Sequence, residues 1–117
     1  MEFENILYKK INRLALITIN REEKHNAISL NTLKELMESV DLAAADQTIS
    51  VIAITGAGGK SFASGSDLSE VIDRDLKKAL EPIIQGLAEK LERTPKPTIA
   101  AIDGFCMGGG LEIALGC

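Results

Sequence analysis

Near the C-terminal end of this sequence, Gly104-Phe105-Cys106-Met107-Gly108-Gly109-Gly110-Leu111-Glu112 sets three consecutive glycines between two segments of different periodicity. Before them, Thr98 to Ile102 is β-branched and alanine, as in a buried strand; after them, Leu111 to Leu115 reads as a helix starting. Consecutive glycines lose much conformational entropy and pack nothing, so they are kept where the backbone needs positive φ or a close approach. The run therefore restricts the chain to a strand, a tight turn and a helix in that order. The first N–H groups of such a helix have no intrahelical partner and carry the positive end of the macrodipole. They can hold an anion, or a carbonyl oxygen becoming one. Glu112, three residues after Gly109, shares a helix face with it and stands one turn along, where an acid/base group would sit beside the anion hole. The same residues also suit a helix packed tightly on a sheet, with Glu112 only complementing the dipole.

A chain of 117 residues allows one domain. With three Phe, one Tyr and no Trp, its core must be aliphatic. A net charge of −4 without a basic cluster argues against a nucleic-acid partner. Apolar runs are far shorter than the ~20 residues of a membrane span. The acidic N-terminus, Met1 to Asn5, lacks the basic and apolar regions of a signal peptide, so the cytoplasm is the expected location. Cys106 and Cys117 are too few for a disulfide framework and have no partner at metal-ligand spacing. The helical pattern is still running at Gly116-Cys117 without a capping signal, so residues 1–117 are expected to be the N-terminal part of a longer domain.

Phe3 to Lys10 suits an edge strand, Asn12-Arg13 a turn, and Leu14 to Asn20 a strand covered on both faces, together an N-terminal hairpin. Asn20 to Ala27 reads as an irregular loop holding the sole histidine, His25. Ser29 is a good N-cap for a helix over Leu30 to Ala45, with Leu33, Leu36, Met37 and Val40 at helical spacing. Ser50 to Thr55 is a buried strand ended by Gly56, and the long glycine-bearing loop to Asp67 is of a kind that often carries a site. Gly59-Lys60-Ser61 imitates a P-loop, but that motif puts its first glycine at position 54, which is Ile54. Gly56 and Gly58 lack the third glycine of a dinucleotide fingerprint, since position 61 is Ser61. From Asp73 to Arg93 a helical series runs through Leu76, Leu80, Ile83, Ile84, Leu87 and Leu91; Pro82 either kinks it or sits in the first turn of a second helix beginning near Glu81. Thr94-Pro95-Lys96-Pro97 stops it ahead of the last strand. Alternating strands and helices predict an α/β protein with mainly parallel pairing.

Three separated stretches then coincide: Asn20-Arg21 with Asn26-Ala27; Phe62-Ala63-Ser64-Gly65-Ser66-Asp67-Leu68; and Lys96-Pro97 through Ala100-Ala101-Ile102 to Gly108-Gly109-Gly110-Leu111-Glu112-Ile113-Ala114 and Cys117. In this order, over nearly the whole chain, they resemble the enoyl-CoA hydratase/isomerase family, the crotonases. The resemblance implies a spiral of repeated ββα units, truncated here on its C-terminal side. It further implies a homo-oligomer, a trimer or a pair of trimers, binding acyl-CoA thioesters, with coenzyme A as part of the substrate and no separate cofactor or metal. The implied reaction is reversible addition of water to a 2-enoyl-CoA. Matched motif to motif, the N–H groups of Ser66 and Gly109 would hold the thioester oxygen, and Glu112 would act as acid/base. Ser66 stands where alanine is commoner, which leaves the backbone donor intact. Lys24, His25, Ala27, Ser64, Ser66, Asp67 and Leu68 match the segments that contact CoA, largely through main-chain groups. The family's second glutamate would lie past Cys117, so double-bond isomerisation, thioester hydrolysis or a non-catalytic CoA-binding role stay as alternatives.

Overall fold

The computed structural model describes residues 2–67 and 74–117, with the side chains of 74–81 outside that description. The described residues run as three successive strand–strand–helix units. The first holds β1 (Ile6–Ile11), β2 (Leu14–Ile19) and α1 (Leu30–Ala45); the second β3 (Val51–Gly56), β4 (Ser61–Ala63) and α2 (Arg74–Arg93); the third β5 (Thr98–Ala101), β6 (Phe105–Cys106) and α3 (Gly109–Gly116). This is the ββα repetition that the resemblance implies.

β1 and β2 form the expected antiparallel hairpin, with Ile6 opposite Ile19 and Ile11 opposite Leu14. Asn12, at φ 53°, makes the turn between them, a conformation asparagine tolerates better than most residues. β3 lies parallel to β2, and β5 parallel to β3, giving a four-stranded sheet in the order β1-β2-β3-β5. Alternate residues of β2, namely Ala15, Ile17 and Ile19, are buried, while Leu14, Leu16 and Thr18 are only half covered. The expectation of a strand covered on both faces thus holds fully for one face. β5 also departs from its reading: it is the sheet's edge, and Ile99 is 51% exposed. Its β-branched composition reports a strand, and a strand's position in the sheet is set by topology, which composition does not carry.

The long loop after β3 is not irregular throughout. It contains β4, which pairs in parallel with β6 in a second, two-stranded sheet. Phe62 of β4 is fully buried, and that burial drives so short a strand to form. At Gly56 a Cβ would stand 2.3 Å from the Ser61 carbonyl oxygen, so only glycine lets the loop fold back onto the strand end.

Ser29 caps α1: its hydroxyl accepts from the Thr32 N–H at 3.1 Å. Leu33, Leu36 and Val40 bury the inward stripe of α1, and Met37 packs half-buried beside it. α2 is a single helix with Pro82 inside it, which decides between the two readings of that proline. Ile84, Leu87 and Leu91 of α2 join the core; the expected positions Leu76 and Leu80 lie outside the described side chains, and Asp73 outside the described residues. No helix among the described residues is long and apolar enough to cross a membrane.

Candidate active site

The loop from Arg21 to Ile28 is pinned by its own polar groups. Asn26 is 1% exposed and left-handed, at φ 57°. Its Oδ1 accepts from the Arg21 N–H at 2.9 Å, and its Nδ2 donates to the carbonyls of Ala57 at 3.1 Å and Ser61 at 2.7 Å. A buried amide satisfied on three sides holds this loop against the one that follows β3. Beside it, the Arg21 guanidinium donates to the Ala27 carbonyl and pairs with the Asp67 carboxylate at 3.0 Å, with side-chain exposures of 14% and 12%.

These contacts converge on Ser66. Ile28 bridges to Ser66 in parallel fashion: the Ile28 N–H donates to the Gly65 carbonyl at 2.7 Å, and the Asp67 N–H donates to the Ile28 carbonyl at 2.9 Å. In such a bridge both bonds belong to Ile28 and to the neighbours of Ser66, so the N–H of Ser66 itself is turned away from the partner strand. No acceptor stands against it among the described residues.

The glycine run builds the facing turn. The Phe105 N–H donates to the Lys60 carbonyl and the Met107 N–H to the Ala63 carbonyl, both at 3.0 Å. A Cβ on Gly104 would stand 2.0 Å from the Lys60 carbonyl oxygen, so this approach requires glycine. Gly108, at φ 53° and ψ −124°, is the N-cap of α3 and offers no side chain to its N–H groups. Gly110 donates to the Met107 carbonyl at 3.0 Å and Glu112 to the Gly108 carbonyl at 3.1 Å, whereas the Gly109 N–H has no acceptor among the described residues. The two turns touch: a Cβ on Gly108 would lie 3.6 Å from the Gly65 Cα, and one on Gly65 would lie 3.5 Å from the Met107 carbonyl oxygen. Two uncommitted N–H groups, of Ser66 and Gly109, thus each follow a residue at this contact.

A cleft of about 650 Å³ opens at these turns, lined by Lys24, His25, Ala27, Ser64, Ser66 and Asp67 together with Glu23, Ser61, Phe105 and Met107. Six of the residues assigned to CoA contact on the sequence therefore share one cavity, and the seventh, Leu68, lies outside the described residues. Lys24 and His25 are exposed at its rim, and Asp67 is turned to Arg21. The family model for enoyl-CoA hydratase/isomerase matches residues 9–117.

The chain belongs to that family.

A short-chain-enoyl-CoA hydratase of Clostridium acetobutylicum is 38% identical over all of this chain and 46% of its own length. A crotonyl-CoA hydratase of Syntrophomonas wolfei is 36% identical over the same shares. The crystal structure of an enoyl-CoA hydratase from Bacillus anthracis superposes with a TM-score of 0.90 at 34% identity, covering 97% of this chain and 45% of that one. The chain thus spans about half the length of the crotonases it matches.

Within this crotonase fold, Glu112 does not line the cleft. It is exposed on the first turn of α3 and borders a separate groove with Gln85, Glu89 and Glu92 of α2. Gly109 is buried, with Ile84 of α2 against it, and is not among the residues that line the cleft. Phe105 and Met107, which carry no role in the sequence reading, are 67% and 55% exposed and line the cleft. Strand alternation is their signal, since Cys106 between them points the other way and is half-buried. Burial raises the Cys106 thiol above its ordinary pKa, so it stays protonated at neutral pH and is a poor nucleophile. Arg21 and Asn26 belong to the quoted motif, but only the folded structure gives their side chains partners.

Proposed function

We propose that residues 1–117 form the N-terminal, acyl-CoA-binding part of an enoyl-CoA hydratase, active as a homo-oligomer. The observation that carries this reading is the contact between the Gly65-Ser66 and Gly108-Gly109 turns, each presenting a backbone N–H without a protein acceptor. In the reaction, the oxygen of water bonds to C3 of the enoyl thioester and the C2–C3 π electrons move toward the carbonyl, leaving an enolate oxygen. The N–H groups of Ser66 and Gly109 hold that oxygen, and loss of one such preorganised donor typically costs ~10²–10³ in rate. The water gives up one proton and C2 gains one, so the step needs positioned acid/base groups. By its match to the family motif Glu112 is assigned as one of them: it stands one turn along α3 from Gly109 but borders the groove shared with α2 and not the cleft, so its approach to the substrate depends on the rest of the protein, as does the second carboxylate. CoA lies against Lys24, His25, Ala27, Ser64 and Asp67. Support for hydration over isomerisation or thioester hydrolysis comes from Glu112 and from the hydratase names of the relatives described above.

The test follows the loss of the conjugated thioester absorbance of crotonyl-CoA with the whole protein. Glu112→Gln is expected to lower kcat by ~10²-fold or more, in the range of general acid–base contributions. Undiminished turnover by Glu112→Gln removes Glu112 from the mechanism. Double-bond migration in a 3-enoyl-CoA, without hydration of the 2-enoyl thioester, would replace the hydratase reading by the isomerase one.

A further inference from the structure

Arg21 does not itself line the cleft, yet it holds two residues that do, Ala27 and Asp67, and both adjoin the bridge at Ser66. One arm of its guanidinium holds the Ala27 carbonyl and the other the Asp67 carboxylate, so a single planar group ties together the two strands that flank the Ile28–Ser66 bridge. Both side chains of the ion pair are largely buried, a setting in which such a pair is not screened as a surface pair is and its loss leaves a buried charge alone. The Arg21 main chain is fixed in turn by Asn26, whose amide also holds Ala57 and Ser61. The Ser66 N–H is therefore placed by a chain of contacts that begins at Arg21, passes through Asp67 on one side and Ala27-Ile28 on the other, and closes on the two bonds made by Ile28.

We infer that Arg21, through its fork onto Asp67 and Ala27, is a positioning residue that sets the aim of the Ser66 backbone donor, and thereby governs the catalytic step rather than CoA affinity. This rests on the reading of Ser66 as a carbonyl-oxygen donor given above. Misplacement of a catalytic donor by about 1 Å can cost on the order of 10²-fold in rate, whereas CoA binding draws on many groups along the cleft.

The experiment uses the whole protein and three variants, Arg21→Lys, Arg21→Met and Asp67→Asn. Arg21→Lys keeps the charge but reaches only one of the two acceptors, so it disturbs folding less than Arg21→Met and keeps the test readable. Kinetics with crotonyl-CoA are paired with titrations of free CoA, which has no acyl carbonyl, and of crotonyl-CoA itself. The expected result is a kcat about 10-fold lower in Arg21→Lys and about 100-fold lower in the other two, with the dissociation constant for free CoA within about threefold of wild type in the two Arg21 variants; Asp67→Asn, at a residue of the cleft wall, is read on kcat alone. Unchanged kcat in Arg21→Lys and Asp67→Asn overturns the inference, and so does a loss of kcat in the Arg21 variants matched by an equal loss of affinity for free CoA. If the wild-type protein hydrates no enoyl thioester, the hydratase reading fails by itself. The preference for crotonyl-CoA over free CoA then decides the positioning role: its loss in the variants upholds that role and its retention overturns it.

Discussion

Gly110 and Gly86 are both helical glycines with opposite surroundings. A Cβ on Gly110 would come within 2.6 Å of the Ala63 Cβ and 2.7 Å of its carbonyl oxygen, so α3 can rest on β4 only because nothing projects there. Around Gly86, inside α2, a Cβ would meet nothing within 4 Å. Gly110→Ala is therefore expected to lower stability by about 1–3 kcal/mol, as overpacking against backbone does. Gly86→Ala should raise it by about 0.5–1 kcal/mol, because alanine loses less freedom on entering a helix. Chemical denaturation of both variants measures the contrast, and equal shifts in the same direction would contradict it. Gly110→Ala also displaces the adjacent Gly109 N–H, so its activity should fall at temperatures where it is still folded. The three glycines that look alike in sequence differ in the structure: Gly108 takes a positive φ, Gly109 has an N–H without an acceptor among the described residues, and Gly110 makes a close contact.

Among the elements, α1 shows how a helix end can be closed from a distance. The helix stops at Ala45 with Asp46 as C-cap, and the Lys96 Nζ donates to the Ala43 carbonyl at 2.8 Å and the Asp46 carbonyl at 2.6 Å. A cation on terminal carbonyls satisfies orphan acceptors and meets the negative end of the dipole. It also fastens the Thr94-to-Pro97 segment, and so the entry to β5, onto the first unit. Lys96→Met should cost about 1–3 kcal/mol, the range for leaving part-buried acceptors without a charged donor, as read from the denaturation midpoint. An unchanged midpoint would mean that water replaces Lys96 without loss. How legible each feature is in the sequence follows from how local its cause is. The α1 cap, stripe and length come from Ser29, Leu33, Leu36 and Val40, all within a few turns of one another, and the reading matches the structure there. The edge position of β5 does not emerge from the composition of Thr98–Ala101, because it depends on which strand stands beside it. β4 is three residues long, too short for a period, and its partner β6 lies some forty positions on. The cleft-lining set from Lys24 to Asp67 came from motif resemblance. The Arg21–Asp67 pair spans 46 positions and leaves no local pattern, so its role emerges only from coordinates.

At the scale of the whole molecule the burial is uneven. The first two units surround the core, while Ile99, Ile102, Phe105, Met107, Leu111 and Leu115 of the third unit are among the exposed large apolar side chains, Leu115 at 73%. β5, with no further partner strand among the described residues, adds an open strand edge to the same region. Exposed apolar groups beside an open edge favour association with any chain that can extend the sheet or cover the side chains. The 117-residue polypeptide produced by itself is therefore expected to self-associate in sedimentation and to bind a hydrophobic dye. Ile99→Lys should reduce both, since a charge on an edge strand opposes edge-to-edge pairing. The same substitution leaves Ile17, Ile54 and Phe62 untouched in the core, so a fall in association without loss of circular dichroism would locate the adhesive surface at β5. A dispersed monomer that melts cooperatively and binds no dye would instead show that the third unit is stable uncovered, and would favour a self-standing CoA-binding module over part of a catalytic assembly.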